Sequence, residues 1–367
     1  MERVTTIKAN YLADVCNYDV SIVTTEQMGR PVFYPLSEKV HLFHLNIGIH
    51  ENFGKEFYLQ KMISRFLKSR KYKQKLEKLL MEVRPDITVS TLGLDIEFIN
   101  DFKDGSVKIG ELHFPGNFRL LMAKKLYKSL FPNLVGGIMT NDLKQKCKQL
   151  KSLIVLTEEE KTCWEDSDNV EVIPNPLPFE TQHFSTTKNK KAIAVGRLVY
   201  EKGFDLLIKA WEKVSARHPD WELTIYGDGK EKEALSELIG KNNLDQAVKL
   251  PGSVDNIQEL YPDYSMLIFP TRYLDSFGMV IIEAMSCGVP VIAFDAPCGP
   301  KDLIRNGTNG FLVEAGDVDG LAGTINKLIE SDDLRDAMGK AAVKFSENHR
   351  IEKIMSRWIH LFEKLVK

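Results

Sequence analysis

Two cations follow an apolar run in the second half of the chain, at a position where they could bind an anion. The stretch AIAVGRLVYEKGFDLLIKAW predicts a strand, then a turn with Gly196, Arg197 and Lys202, then a helix that begins near Gly203. A cation ahead of a helix N-terminus faces the positive end of the helix dipole, which is unfavourable unless an anion joins them. With free backbone amides, the two side chains would form a phosphate site. Two solvated loop charges are the alternative, and the turn alone does not decide between them.

A carboxylate inside an apolar helix is the second candidate for chemistry. In DSFGMVIIEAMSCGVP, the glycines Gly278 and Gly288 bound a helix predicted over Met279–Cys287. Its residues are apolar nearly all round, so the helix belongs in a core. An ionised Glu283 there is costly unless something pairs with it. Its partner is either a ligand, such as a ribose diol, or a neighbouring Lys or Arg.

Two further features are less specific. In WELTIYGDGKEKEALSELI, Gly227 and Gly229 flank Asp228 and allow the backbone to approach a ligand closely, although Gly-Asp-Gly is also ordinary turn chemistry. His113 in GELHF stands at the end of a predicted strand, where a structural histidine is the alternative to a site residue.

The elements that must position these residues are strands that alternate with helices. The predicted strands are YDVSIVTT, KVHLFHLNI, DITVSTLG, VKIGELHF, SLIVLT and VEVIPNP in the first half, and KAIAVG, WELTIYG, AVKLPG, YSMLIFP and VPVIAF in the second. Apolar strands alternating with helices predict parallel sheets covered on both faces, hence an α/β fold with two doubly wound units. Ligands of such sheets bind beyond the carboxyl ends of the strands, which is where these turns stand.

The chain of 367 residues exceeds what one hydrophobic core usually supports. We expect a first domain over residues 1–180, a polar linker over 181–190 that acts as a hinge, a second domain over 191–348, and a final helix over 349–367. That helix carries a core-facing stripe of Ile354, Trp358, Leu361 and Leu365.

Composition excludes several classes of protein. With 43% hydrophobic residues, 27% charged residues and a net charge of -2, the chain is an ordinary soluble protein with no sign of a nucleic-acid partner. No apolar stretch is long enough to cross a bilayer, and the N-terminus MERVTTIKANY has no signal-peptide core. These features predict a cytoplasmic location.

The motifs resemble those of a known family. GRLVYEKGFDLLIKAW, LTIYGDG, the acidic-x7-Glu spacing of DSFGMVIIE, EAMSCGVPVIAF, APCGPKDLI and NGTNGFLV look like the successive signatures of the retaining GT-B glycosyltransferases of family 4, or glycosyl transferases group 1. In the first half MERVTTIKANYLAD, YDVSIVTT, GELHF, VLTEEE and VIPNPL have counterparts. The CGP after VIAFDAP resembles the bacterial group that builds exopolysaccharide, capsule and O-antigen. The resemblance implies two Rossmann-like domains facing a cleft, with the final helix packed back on the first.

The resemblance also implies roles for individual residues. Arg197 and Lys202 would bind the diphosphate of a nucleotide-sugar donor and stabilise its charge, and His113 would face the donor sugar. Glu283 would bind the ribose hydroxyls. The remaining implied donor-binding positions are Gly196, Gly227, Asp228, Gly252, Asp275, Ser276, Phe277, Gly278 and Met279. No metal or other cofactor is expected, because cations and helix-terminal amides can stabilise the diphosphate leaving group.

The expected reaction is transfer of a hexose, with retention, from a UDP-sugar to a saccharide or lipid-linked glycan during surface-polysaccharide assembly. The alternative is a nucleotide-sugar-binding but inactive partner subunit, or a truncated product. Basic and apolar residues interleaved on the long helix KEFYLQKMISRFLKSRKYKQKLEKLLMEV could attract the inner face of an anionic membrane, or form an ordinary solvated face.

Two departures from the family pattern bear on these expectations. Asp275 stands where the family more often has Glu, so its contacts with the sugar hydroxyls would differ. Family members usually begin with a β-strand and a glycine-rich turn, whereas this chain begins at Met1-Glu2-Arg3-Val4. We therefore expect a first domain without its first strand, through a start assigned too late or a genuine loss.

Overall fold

The computed structural model describes residues 1–48, 58–116, 118, 132–273, 276–297 and 299–366. The chain forms two compact units. The first comprises Met1–Leu156, Lys161–Ile173 and Ile351–Lys367, and the second comprises Thr157–Glu160 and Pro174–Arg350.

The first unit alternates helices and parallel strands. Its elements are α1 (Glu2–Asp14), β1 (Val20–Thr24), β2 (Val40–His44), α2 (Tyr58–Val83), β3 (Ile87–Ser90), β4 (Val107–Glu111), α3 (Pro132–Lys148), β5 (Ser152–Val155), α4 (Glu158–Thr162), whose first residues cluster with the second unit, β6 (Val170–Val172) and the C-terminal helix α12 (Ile351–Val366). The strands form two parallel sheets, β1-β2 and β3-β4-β5-β6. Among the described residues β1 pairs only with β2 and β3 only with β4, so both are edge strands.

Helix α12 covers one face of the four-stranded sheet. Its residues Ile354, Trp358 and Leu361 are buried against Ile109 of β4 and Ile154 of β5. The apolar stripe read from the sequence is therefore the face that this helix buries, and burial of such side chains contributes about 1.5–3 kcal/mol each.

The second unit is one doubly wound sheet. Its elements are β7 (Lys191–Val195), α5 (Phe204–Arg217), β8 (Glu222–Tyr226), α6 (Lys232–Lys241), β9 (Val248–Gly252), α7 (Ile257–Leu260), β10 (Met266–Phe269), α8 (Met279–Ser286), β11 (Val291–Phe294), α9 (Pro300–Leu303), β12 (Gly310–Val313), α10 (Val318–Ile329) and α11 (Asp332–Ser346). All pairs are parallel, in the order β12-β11-β10-β7-β8-β9. The predicted α/β class with parallel sheets is confirmed.

The core of the second unit explains why its strands are apolar throughout. Strands β7, β10 and β11 lie inside the sheet with both faces covered, so residues such as Ile193, Ile268 and Phe294 are buried whichever way they point. Trp211 of α5 is fully buried in the same core.

Residues 181–190 differ from the linker that the sequence predicts. The hydroxyl of Ser185 donates to the carbonyl of Tyr264 at 2.6 Å, and Asn189 donates to the carbonyl of Asp263 at 2.8 Å. Nε of the buried Arg335 donates to the carbonyl of Thr187 at 2.8 Å. These bonds tie the segment to the second unit, whose main stretch begins at Pro174, so the polar side chains of the segment attach it to that unit.

Candidate functional site

The carboxyl edge of the second sheet is where most of the candidate residues lie. Strands β7 and β10 are neighbours at its centre, with β8 and β9 on one side and β11 and β12 on the other. The order of strands therefore reverses between β7 and β10. In open parallel sheets the crevice at such a reversal is the usual ligand site.

The turn after β7 presents the two cations. Arg197 is exposed, and Lys202 ends a short 3-10 turn, Tyr200–Lys202. Lys202 folds back over the strand ends, with Nζ 5.2 Å from the ring centre of Phe269, the last residue of β10. A Cβ built on Gly196 would lie 3.7 Å from Cδ of Lys202. The cation is thus placed at the reversal point of the sheet.

Glycine turns bring three neighbouring strand ends into contact. Gly227 has φ +142°, and a Cβ there would meet the carbonyl oxygen of Gly196 at 1.9 Å. The amide of Gly227 donates to the carbonyl of Gly252 at 2.9 Å. Only glycine fits at position 227, because any side chain would push the turns after β7 and β8 apart. Asp228 is exposed beside them.

Helix α8 begins at the same edge. Gly278 precedes it in the left-handed region, with φ +86°, and directs the chain into the helix. Phe277 is buried, whereas Ser276 and Met279 are partly exposed. Backbone amides in the first turn of a helix are the groups that bind anions in such crevices. Asp275 lies outside the described residues.

Glu283 of α8 has a protein partner that the sequence did not reveal. The carboxylate is buried, and its Oε2 accepts a hydrogen bond from the hydroxyl of Tyr261 at 3.1 Å. Tyr261 is fully buried in the turn that follows α7. This partner is a neutral donor, which orients the carboxylate without cancelling its charge.

His113 lies in the first unit, just after β4, next to a buried ion pair. Its side chain is 7% exposed, and Nε2 lies 3.3 Å from Oε1 of Glu111 without the geometry of a hydrogen bond. The ammonium of Lys8 binds both oxygens of Glu111 and lies 4.5 Å from the ring centre of Trp358. Burial alone would raise the pKa of Glu111, but the charge of Lys8 and the imidazole outweigh it and hold that pKa well below its ordinary value.

The sequence therefore singled out cations and carboxylates but missed the groups that position them. Tyr261 is 22 residues from Glu283, Lys8 is 103 residues from Glu111, and no local pattern marks either pair. The spacing Glu-Leu-His in GELHF was the available signal for Glu111, because residues two apart on a strand share a face.

The described residues contain no group of three or more His, Cys, Asp or Glu side chains that could hold a metal ion. Within the same ranges, no helix is both long enough and apolar enough to span a bilayer.

The part of the chain that forms the carboxyl edge of the second sheet is similar to a known protein family. Residues 179–345 match the model of the family described as Glycosyl transferases group 1. These residues are similar to group 1 glycosyltransferases, and we call them the group 1 domain below. The group 1 domain includes the described turns and helices of the second unit discussed above, from Gly196 to Glu283.

Relatives extend the likeness beyond the group 1 domain. An uncharacterized glycosyltransferase of Haemophilus influenzae is 27% identical over 364 residues, which are 97% of this chain and 94% of that protein. Poly(ribitol-phosphate) alpha-N-acetylglucosaminyltransferase of Staphylococcus aureus is 31% identical over 224 residues. That alignment covers 59% of this chain and 45% of the relative, so the chain spans less than half of its length.

A solved structure shares the fold. A mutant of S. aureus TarM, crystallised with fondaparinux, alpha-GlcNAc-glycerol and UDP, superposes with a TM-score of 0.68 and 25% identity. The match covers 80% of this chain and 59% of that one. The architecture is the GT-B fold, with two Rossmann-like units in one chain.

Proposed function

We propose that the protein transfers a hexose from a UDP-sugar, with retention and without a metal ion, to a saccharide or lipid-linked glycan in bacterial surface-polysaccharide assembly. One observation carries the proposal. Arg197, Lys202 and the buried Glu283 lie in one group 1 domain whose sheet order reverses beside Lys202. Cations before a helix suit phosphates and an oriented carboxylate suits a diol, so these residue types fit a ligand that carries both groups.

The relatives support the donor and the kind of acceptor. TarM was crystallised with UDP and a GlcNAc-glycerol, and the S. aureus relative is named for a polymeric ribitol-phosphate acceptor. These names support UDP as the nucleotide of the proposed donor and a saccharide or lipid-linked glycan as the proposed acceptor.

The proposed chemistry follows from the charges of these residues. As the glycosidic bond breaks, negative charge develops on the diphosphate, and Arg197, Lys202 and the first amides of α8 would stabilise it. Glu283, oriented by Tyr261, would hold the ribose hydroxyls. We nominate no side chain as a nucleophile. On the basis of the family resemblance alone, we propose that His113 faces the donor sugar.

Helix α2 supports a further proposal, association with an anionic membrane. Ile63, Phe66 and Leu67 are 54%, 61% and 58% exposed and recur at helical spacing. Arg70, on the same stripe, has its guanidinium 5.8 Å from the ring centre of Phe66. Exposed apolar groups beside cations are the features of helices that lie in a lipid interface.

The test is calorimetric titration of the purified chain with UDP and with GDP. We expect UDP to bind with a Kd of tens of micromolar, about 6 kcal/mol. Arg197→Ala should weaken it at least tenfold because a charge-assisted phosphate contact is lost. Arg217→Ala is the matched control, since Arg217 pairs with Glu330 at 2.7 Å on the surface of the same unit.

The proposal would be wrong if the folded protein bound neither nucleotide, or if Arg197→Ala bound UDP as tightly as the wild type. Where UDP binds, incubation of a UDP-hexose with glycan acceptors in the presence of EDTA should give product, and NMR of its anomeric proton should show retained configuration.

A further inference from the structure

Arg272, in the loop after β10, makes a bidentate ion pair with a residue of α5, and neither residue is among the proposed donor-binding residues. Its Nη1 and Nη2 lie 2.7 Å from Oδ1 and Oδ2 of Asp205, in the first turn of α5. Nη1 also donates to the carbonyl of Tyr200 at 2.7 Å, and the guanidinium lies 4.2 Å from the centre of the Tyr200 ring. A bidentate pair fixes direction as well as distance, so Arg272 joins two loops in one geometry.

The backbones of the two loops are also in direct contact. The amide of Arg272 donates to the carbonyl of Glu201 at 2.9 Å. Gly203 has φ +70°, and a Cβ built on it would meet the carbonyl oxygen of Pro270 at 2.0 Å. The turn that carries Lys202 therefore lies against the loop after β10 with no room for a side chain between them.

The charges show that the guanidinium is already committed to protein partners. The side chains of Arg272 and Asp205 are 15% and 32% exposed. The hydrogen bond to Asp205 raises the pKa of Arg272. Burial would raise the pKa of Asp205, but Arg272 outweighs it and lowers that pKa. Three N–H groups of the guanidinium point at Asp205 and Tyr200, so Arg272 acts through its neighbours.

We propose that Arg272 and Asp205 are positioning residues, which hold the Tyr200–Lys202 turn on the end of β10 and so place Lys202 for the donor phosphates. The proposal rests on the proposed function for the role of Lys202. The coupling of the loops, in contrast, is a property of the unliganded protein. Without the pair, the turn would lose the bidentate contact that fixes its position on the loop after β10, and would sample other positions more often.

The experiment compares wild type with Arg272→Lys, Asp205→Asn and the double variant, with Arg217→Lys as control. Arg272→Lys keeps the charge and removes the fork, and Arg217→Lys makes the same change at an exposed pair. Hydrogen exchange of the ligand-free proteins is followed in peptides covering 198–204 and, as a measure of intact folding, 223–226 of β8. UDP affinity is then measured by calorimetry.

We expect exchange over 198–204 to be at least tenfold faster in both single variants, with exchange over 223–226 unchanged. Each single variant should bind UDP about tenfold more weakly, and the double variant no more weakly than either single, because both remove one interaction. A hundredfold loss in the double variant, or unchanged exchange over 198–204, would overturn the proposal.

Two results distinguish a positioning role for Arg272 from direct binding of the donor phosphates. If Arg272 touched phosphate itself, Asp205→Asn would leave UDP affinity unchanged or stronger, which would refute a positioning role. If wild type bound neither UDP nor GDP, the proposed function would fail and the placement of Lys202 with it. Faster exchange in the variants would then still show that the pair couples the loops.

Discussion

Replacing Glu111 by Gln tests the buried ion pair beside His113. The side chains of Lys8 and Glu111 are only 11% and 4% exposed, and the ammonium binds both carboxylate oxygens. Removal of one partner leaves the other charge buried without compensation, which typically costs about 3–5 kcal/mol. For a domain of roughly 150–250 residues, each kcal/mol lowers the melting temperature by about 2–4 °C. We therefore expect the first unit of Glu111→Gln to melt about 6–20 °C lower.

Thermal unfolding followed by circular dichroism at pH 7 measures this loss. Glu171→Gln is the matched control, because Glu171 pairs with Lys364 at 3.2 Å with both side chains largely exposed. Exposed pairs contribute about 0–1 kcal/mol, so the control should melt close to wild type. Adding Lys8→Met to Glu111→Gln should recover most of the loss, since the orphan charge is gone. Equal melting of Glu111→Gln and Glu171→Gln would refute the reasoning.

The pH dependence gives the same prediction a second check. The pKa of Glu111 in the folded protein lies below its ordinary value of 4.5. The carboxylate therefore contributes its full stability above that value and loses it as the pH falls towards the folded pKa. The gap between wild type and Glu111→Gln should be constant from about pH 6 to 8 and should close only in acid.

Two further predictions concern the donor site and helix α2. Tyr261→Phe should weaken UDP binding about tenfold, because a hydrogen bond to the charged Glu283 is lost, and should leave pyrophosphate binding unchanged. Tyr264→Phe is the control. Equal weakening of both ligands, or the same effect from the control, would contradict this prediction. The wild-type protein should co-sediment with phosphatidylglycerol-rich vesicles at low salt, and the double variant Phe66→Ala/Leu67→Ala should stay in the supernatant. If the wild type does not co-sediment, the membrane proposal is wrong.

Short runs of β-forming residues were sufficient to predict the strands from β1 to β11. The reason is clearest at β5, β10 and β11, which are apolar and buried along almost their whole length because both faces of the sheet are covered. Strand β12 (Gly310–Val313) was not predicted, because it begins at the last residue of the turn-like stretch NGTNG. Within the described ranges β1 and β3 are sheet edges, which could not be predicted because strand pairing is set by tertiary contacts and not by the local sequence.

Charges out of place in a local pattern could be found from the sequence, and side chains that pair across the fold could not. Arg197, Lys202 and Glu283 stood out because a cation before a helix and a carboxylate in an apolar helix both demand a partner. Asp205 and Arg272 are 67 residues apart, and each is unremarkable where it stands. The structure places Arg197, Lys202 and Glu283 in the same unit, and their roles in binding a donor remain predictions.

The path of the chain between its two units has a practical consequence for dissecting the protein. It passes from one to the other at residues 157, 161, 174 and 351. No single cut in the gene can therefore yield either unit whole. A fragment ending at residue 173 would lack α12, and Ile109 and Ile154 would lose the cover of Trp358 and Leu361. Such a fragment would aggregate through that exposed apolar face. A chimaera that combines units of two parent proteins must therefore take its first unit and its last helix from the same parent.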